Sequence, residues 1–289
     1  MKNIFKSVLV LMAAASVAAC NVDNIGETFS TDTTGNASFV QTVISNTSLP
    51  AATTTYNVPV GRSDASSAQT FNLTSTLPSG VCPSSVSFAA GEYETVIPLN
   101  MSGVQVGTTC KGSIKIADQE KFTRSSINVT LAKAYTWVSL GTGEFLENFW
   151  EGFVGEAEFL KAEGFNIYRI VNPYKGAGAD ATGPKPAYIQ FEVVDSEGTV
   201  HFDTWQSPYD YDGGGHYLKF YLPSERGASY AKYDDYSVLE DGYYLALMPY
   251  VYIDGVGGWG VNYGYTIGAA LPGAPKGIDE WFEEQGLFE

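Results

Sequence analysis

Histidine and cysteine are scarce in this chain. Its 289 residues hold two histidines, His201 and His216, and three cysteines, Cys20, Cys82 and Cys110. So few ligands of the right type leave no set for a structural zinc site, because no histidine precedes residue 201 and two cysteines are too few. Histidine-based acid–base mechanisms have little to work with. The common catalytic signatures are also missing: no Gly-x-Ser-x-Gly elbow, no His-Glu-x-x-His, no phosphate-binding glycine loop ending in Lys-Ser/Thr, and no Cys-His pair. Basic residues are few as well, 16 Lys+Arg against 32 Asp+Glu, for a formal net charge of −16. With no basic patch, the chain repels phosphate backbones, which excludes nucleic acid as a partner. Such acidity also keeps a protein soluble at a crowded surface.

Long apolar runs are absent except near the start. Lys2 and Lys6 precede an apolar stretch from Val8 to Val17, followed by small residues up to Cys20. This is the layout of an export signal. Its core is shorter than the roughly 20 residues a spanning helix needs. The sequence Val17-Ala18-Ala19-Cys20 resembles the lipobox of bacterial lipoproteins. The resemblance implies that Cys20 becomes the lipidated first residue of the mature protein, a membrane anchor. A plain secretory signal with an incidental cysteine is the simpler alternative. Several acyl chains on one cysteine hold a protein stably where one chain does not, since each buried CH₂ contributes about 0.8 kcal/mol. Residues 21–35, rich in Thr, Asn and Asp, read as a polar tether.

Composition changes near Ala134. Before it lie two of the 19 tyrosines and no tryptophan; after it lie all five tryptophans and three quarters of the acidic residues. Two domains are expected, at 36–133 and 135–289. In the first, apolar residues alternate with period two at Tyr56/Val58/Val60, Ile97/Leu99/Met101, Ile114/Ile116 and Ile127/Val129/Leu131. This is the pattern of half-buried strands. About seven short strands in about 100 residues predict an immunoglobulin-like β-sandwich. The run Phe88-Ala89-Ala90-Gly91-Glu92, set between strands, resembles the Calx-beta type of sandwich, where a strand ends in a Phe-x-x-Gly-Glu turn. Calcium-binding members carry acidic clusters in the following loop, but Ser102–Thr109 has none, so calcium does not transfer to this domain. Cys82 and Cys110 are either bridged or two buried thiols. The export signal favours the bridge, worth about 3 kcal/mol for a loop of this length.

The second domain is also expected to be all-β. Hairpins are predicted around Ala162-Glu163-Gly164 and Asp195-Ser196-Glu197-Gly198, with one short helix at 279–285 capped by Asp279. Trp137–Gly143 together with Tyr168–Tyr174 resembles Bacteroidetes surface lipoproteins in which an all-β domain follows a Calx-beta-like one. That resemblance implies an outer-membrane lipoprotein and supplies no catalytic residue. Surface-exported members tend to be more acidic after the lipidated cysteine than Asn21-Val22-Asp23-Asn24.

Binding residues are sought in the run Trp205 to His216, read as a loop because of its three consecutive glycines. Trp205, Tyr209 and Tyr211 are candidates to stack on sugar rings, with Trp259 in a second glycine-rich turn. Against this stands the ordinary use of aromatics as core area. Asp210 and Asp212, with His216 or Asp203, are candidate Ca²⁺ ligands, although the run lacks the rest of an EF-hand loop. The reading that follows is a lipid-anchored envelope protein that binds a glycan. Its alternatives are an adhesin-like subunit with a protein partner and a glycoside-active enzyme. The last needs only two suitably spaced carboxylates, and the many here single out none.

Overall fold

A computed structural model describes residues 37–117, 124–150 and 152–287. The signal segment, Cys20 and the tether lie outside the described residues. The described chain is almost entirely β and separates into two compact units between Ala134 and Tyr135. No helix among the described residues is long and apolar enough to cross a membrane.

The first unit has eight strands: β1 (Ala37–Phe39), β2 (Val43–Leu49), β3 (Thr55–Arg62), β4 (Gln69–Ser75), β5 (Ser85–Phe88), β6 (Glu94–Asn100), β7 (Thr109–Ile116) and β8 (Ser126–Lys133). They form a three-stranded sheet, β1-β3-β6, and a five-stranded sheet, β2-β8-β7-β4-β5. β2 runs parallel to β8. The alternation seen in the sequence becomes one apolar face per sheet. Val58 and Val60 meet Ile97 and Leu99 on the smaller sheet, and Ile114, Ile127, Val129 and Leu131 come from the larger one. Each such side chain, fully buried, contributes about 1.5–3 kcal/mol. β1 is only three residues long and β2 is polar and poorly alternating, and their pairing to β3 and β8 decides their conformation.

The Phe88–Glu92 turn has a structural role. Gly91 takes a positive φ of 82°, which glycine adopts without steric cost. Glu92 accepts the Ala89 N–H at 2.7 Å. Arg62, 2% exposed, donates from Nε to the Glu92 carbonyl at 2.7 Å, from Nη2 to the Ala89 carbonyl at 2.6 Å, and from Nη1 to the Ser67 carbonyl at 2.8 Å. Its guanidinium lies 5.0 Å from the centre of the Phe88 ring.

The expected disulfide is not formed. Cys82 and Cys110 are both free thiols. Cys82 precedes β5 and points its Sγ at the Pro83 carbonyl, 3.4 Å away, while Cys110 in β7 is buried in the core. Loss of hydration pushes both thiols above their ordinary range.

The second unit adds twelve strands and a helix: β9 (Trp137–Glu147), β10 (Phe153–Ala162), β11 (Ile167–Val171), β12 (Tyr188–Val193), β13 (Val200–Phe202), β14 (Trp205–Asp210), β15 (Tyr217–Tyr221), β16 (Val238–Glu240), β17 (Tyr244–Leu247), β18 (Tyr250–Ile253), β19 (Gly257–Gly260), β20 (Ile267–Ala270) and α1 (Ile278–Gln285). Both expected hairpins form, as β10–β11 and β12–β13. An eight-stranded sheet runs β13-β12-β11-β10-β9-β20-β17-β16, and a four-stranded sheet runs β14-β15-β18-β19. The larger sheet curls until its edges touch. Thr199 bridges Val238, and the N–H groups of Val200 and Leu239 donate to the carbonyls of Ser237 and Gly198, each at 2.8 Å. Touching edges leave less unpaired backbone for another chain to join.

Curling has a local cause in β9. Gly141 pairs with Phe159, and Ser139 pairs with Leu160, so Leu140 is one extra residue and β9 bulges there. Gly141 has φ 112°. Bulges increase the local twist and bend a strand.

Apolar residues cover both faces of the central strands, as expected for strands buried on two sides. Phe145, Leu245 and Ala269 face the core shared with the four-stranded sheet, whereas Leu146, Tyr244 and Ala270 face α1. On α1, Trp281 stacks on Tyr244 with ring centres 5.0 Å apart. The helix is not capped as expected. Gly277 is its N-cap, Asp279 accepts the neighbouring Glu280 N–H at 2.9 Å, and Glu144 of β9 accepts the Ile278 N–H at 2.8 Å. A carboxylate from a distant strand serves the helix N-terminus, where negative charge is favourable.

Candidate functional site

Trp205–His216 is a hairpin and its turn, not one loop. β14 occupies Trp205–Asp210 and pairs with β15. The strand turns Trp205, Ser207 and Tyr209 into the core, which corrects the expectation that Trp205 and Tyr209 contact ligand. Trp205 is 6% exposed and Tyr209 1%. Trp205 packs on Phe220 and Phe202, and its Nε1 donates to the Tyr174 hydroxyl at 3.3 Å. Tyr209 packs edge-on to Tyr174.

Around them lies a buried polar network. Ser207 Oγ donates to Glu147 Oε2 at 3.0 Å, and Glu147 Oε1 accepts the Trp150 N–H at 3.2 Å. Glu147, Ser207 and Tyr174 have no exposed surface. Burial first, and then the charge of Glu147, push the Tyr174 phenol well above its usual range. Bonds of this kind in a low-dielectric interior hold strand ends in one arrangement. Here they tie the end of β9 to β14.

Tyr211 and Trp259 do come together. Tyr211 is the first residue beyond β14, and Trp259 stands in the short strand β19 with glycine on either side. Their ring centres are 5.7 Å apart. Trp150 lies 5.5 Å from Tyr211 on one flank, and Phe149 lies 5.5 Å from Trp259 and 5.2 Å from Tyr263 on the other. Tyr263 is 59% exposed, and Trp150 and Tyr211 each 37%. Phe149 roots the group by packing edge-on to Phe220 of the core. The result is a continuous aromatic surface on the second unit, and the sequence reading missed Trp150, Tyr263 and Phe149. The adjacent pair Phe149-Trp150 at the end of a long strand was the available signal.

Two turns flank this surface. Asp210 accepts the N–H groups of Gly213, Gly215 and His216 at 3.1, 2.9 and 3.2 Å. Asp212 accepts the Gly214 N–H at 2.8 Å and lies 2.9 Å from His216 Nδ1. The hydrogen bond to His216, followed by that from Gly214, holds the Asp212 carboxyl below the usual aspartate range. Lys219 pairs with Asp254 of the neighbouring turn.

These bonds also revise the calcium reading. The oxygens of Asp210 and Asp212 are used to shape their own turn. Asp203 lies at the other end of β14, roughly 20 Å away at about 3.3 Å per residue. Among the described residues no group of three or more His, Cys, Asp or Glu side chains is placed to hold a metal ion.

The arrangement offers flat, partly exposed ring faces suited to stacking. No protein-family model matches the chain, and no curated protein matches it.

Proposed function

We propose that this chain is a lipid-anchored cell-envelope protein, held in the outer membrane through Cys20, that binds a glycan rather than transforming one. The anchor is supported by the Val17–Cys20 motif behind a positive and apolar leader. The binding role is supported by one observation above the others: Trp150, Tyr211, Trp259 and Tyr263 form a contiguous, partly exposed ring surface beside acidic turns. Sugar rings present patches of C–H groups that stack on aromatic faces. The second unit is the head, and the Calx-beta-like first unit is a spacer between head and lipid.

Affinity electrophoresis against plant, host and microbial glycans tests the reading. At least one glycan retards the wild-type chain, and Trp259→Ala or Tyr211→Ala abolishes the retardation. No retardation by any glycan removes the sugar reading, and capture of an envelope protein by the same surface replaces it with the adhesin reading. Labelled fatty acid enters the wild-type chain in a bacterial host and is absent from Cys20→Ser.

A further inference from the structure

We propose that a groove in the second unit, between β12 with the segment before it and the start of β14, is a separate binding site for a neutral saccharide unit. The groove lies between residues 184–190 and 203–206, is open to solvent, and has a volume of about 490 Å³. This falls within the roughly 300–1,000 Å³ of small-molecule sites. Tyr188, Gln190, Asp203 and Thr204 are among its walls, with Pro184 and Pro186 stiffening one side.

Its polar groups are held in place by their neighbours. Arg169 of β11 is sandwiched between two rings, its guanidinium 4.0 Å from the centre of Trp137 and 3.8 Å from that of Tyr188. Stacking on both faces fixes the plane of the fork. Arg169 Nε donates to Gln190 Oε1 at 2.9 Å, and Gln190 Nε2 donates to Asp203 Oδ2 at 3.0 Å. Each bond in such a chain polarises the next. The chain stops at Asp203, whose Oδ1 accepts from no protein group among the described residues, and the terminal nitrogens of Arg169 donate to none. An acceptor therefore stands ready in the groove beside the Tyr188 ring, which is 43% exposed, with the charge of Arg169 behind it.

Charge selects the ligand class. An anion attracted by Arg169 meets Asp203 and, beside it, Glu225, which is in contact with Thr204. A cation attracted by those carboxylates meets Arg169. A neutral ligand with hydroxyls that both donate and accept, and with one flat apolar face, satisfies every group present. A pyranose ring has that chemistry. The site shares its ligand class with the aromatic surface but rests on its own lining, and the two lie at opposite ends of β14.

Isothermal titration of the full chain with neutral oligosaccharides (gluco-, manno-, galacto- and xylo-configured), a uronate oligomer and a glucosamine oligomer tests the proposal. Asp203→Asn and Tyr188→Ala, each checked for an unchanged melting temperature, are compared with Trp259→Ala. The expected result is binding of at least one neutral oligosaccharide, weakened about tenfold or more by either groove variant. That loss is retained in the Trp259→Ala background. Wild-type affinity in both groove variants overturns the proposal and leaves the aromatic surface as the site. Tighter binding of the uronate or glucosamine oligomer through the groove also overturns it, as does binding of no neutral oligosaccharide at all. Loss in the groove variants with none in Trp259→Ala sustains the groove and removes the aromatic surface.

Discussion

Aromatic side chains do different work six positions apart. Trp205 and Tyr211 belong to one aromatic, glycine-rich run, yet one is a core residue and the other a surface residue. The register of β14 against β15 makes the difference. Pairing Trp205 with Phe220 turns the indole inward, whereas Tyr211 lies past the strand's last residue. Composition carries no information about this register.

Arg62 shows a charge used as a backbone connector. Its three donors satisfy two carbonyls of the Phe88–Glu92 turn, those of Ala89 and Glu92, and the carbonyl of Ser67. Arg62→Met keeps apolar bulk and leaves those carbonyls without their donors. We expect a loss of about 2 kcal/mol in chemical denaturation, from lost charge-assisted bonds to carbonyls that water can partly reach. A loss below about 1 kcal/mol contradicts the clamp. Asp203 supplies a pH test. Crowding strips part of its hydration even though its edge is exposed, and Glu225 adds repulsion, so its carboxyl sits above the usual aspartate range in spite of Arg169. An ionised Asp203 accepts a ligand hydroxyl, and a protonated one does so poorly. Saccharide affinity in the groove is therefore full at neutral pH and falls as pH drops through that raised value, earlier than an unperturbed aspartate gives. Asp203→Asn removes this part of the pH profile. The same shift has the opposite sign for folding: ionised Asp203 opposes stability, and protonation relieves it.

At the scale of elements, the glycines of Gly141-Thr142-Gly143 have separate jobs. Gly141 sits at the bulge with positive φ, and Gly143 allows β20 to approach. A Cβ on Gly143 would lie 2.2 Å from the Ala270 carbonyl oxygen and 2.9 Å from the Phe159 ring. Backbone is what it strikes, so no rotamer change relieves it. Gly143→Ala is expected to cost roughly 3 kcal/mol or more, at or beyond the usual overpacking range, and to lower the melting temperature of the second unit. A neutral Gly143→Ala contradicts the described approach of β9 and β20. The helix gives a related lesson. Its amphipathic pattern and position were legible in the sequence, because Ile278, Trp281 and Phe282 fall on one face. Its cap was not, because the carboxylate on Ile278 N–H comes from Glu144, a partner 134 residues away.

For the whole molecule, the division at Ala134 separates the hydrophobic core of the first unit from the two clusters of the second, with no residue shared. All five tryptophans lie in the second unit. Tryptophan fluorescence therefore follows that unit alone, while far-ultraviolet circular dichroism follows both. Denaturation is expected to show Arg62→Met shifting the dichroism transition and leaving the fluorescence midpoint in place, with Gly143→Ala doing the reverse. One transition that moves in both signals for either variant means that the two units unfold as one.

Period-two alternation, turn residues and the change in composition near Ala134 are local properties. They suffice to make the chain all-β, to place most strands, and to mark Tyr211 and Trp259 as residues worth following. Sequence alone also carries the argument for Cys20. The closing of the eight-stranded sheet at Thr199 and Val238, the burial of Trp205 and Tyr209, and the two free thiols depend on which strands meet and in what register. So does the row Trp137–Arg169–Tyr188–Gln190–Asp203, assembled from four separate stretches of chain. Those contacts are long-range, and no single stretch of sequence encodes both partners.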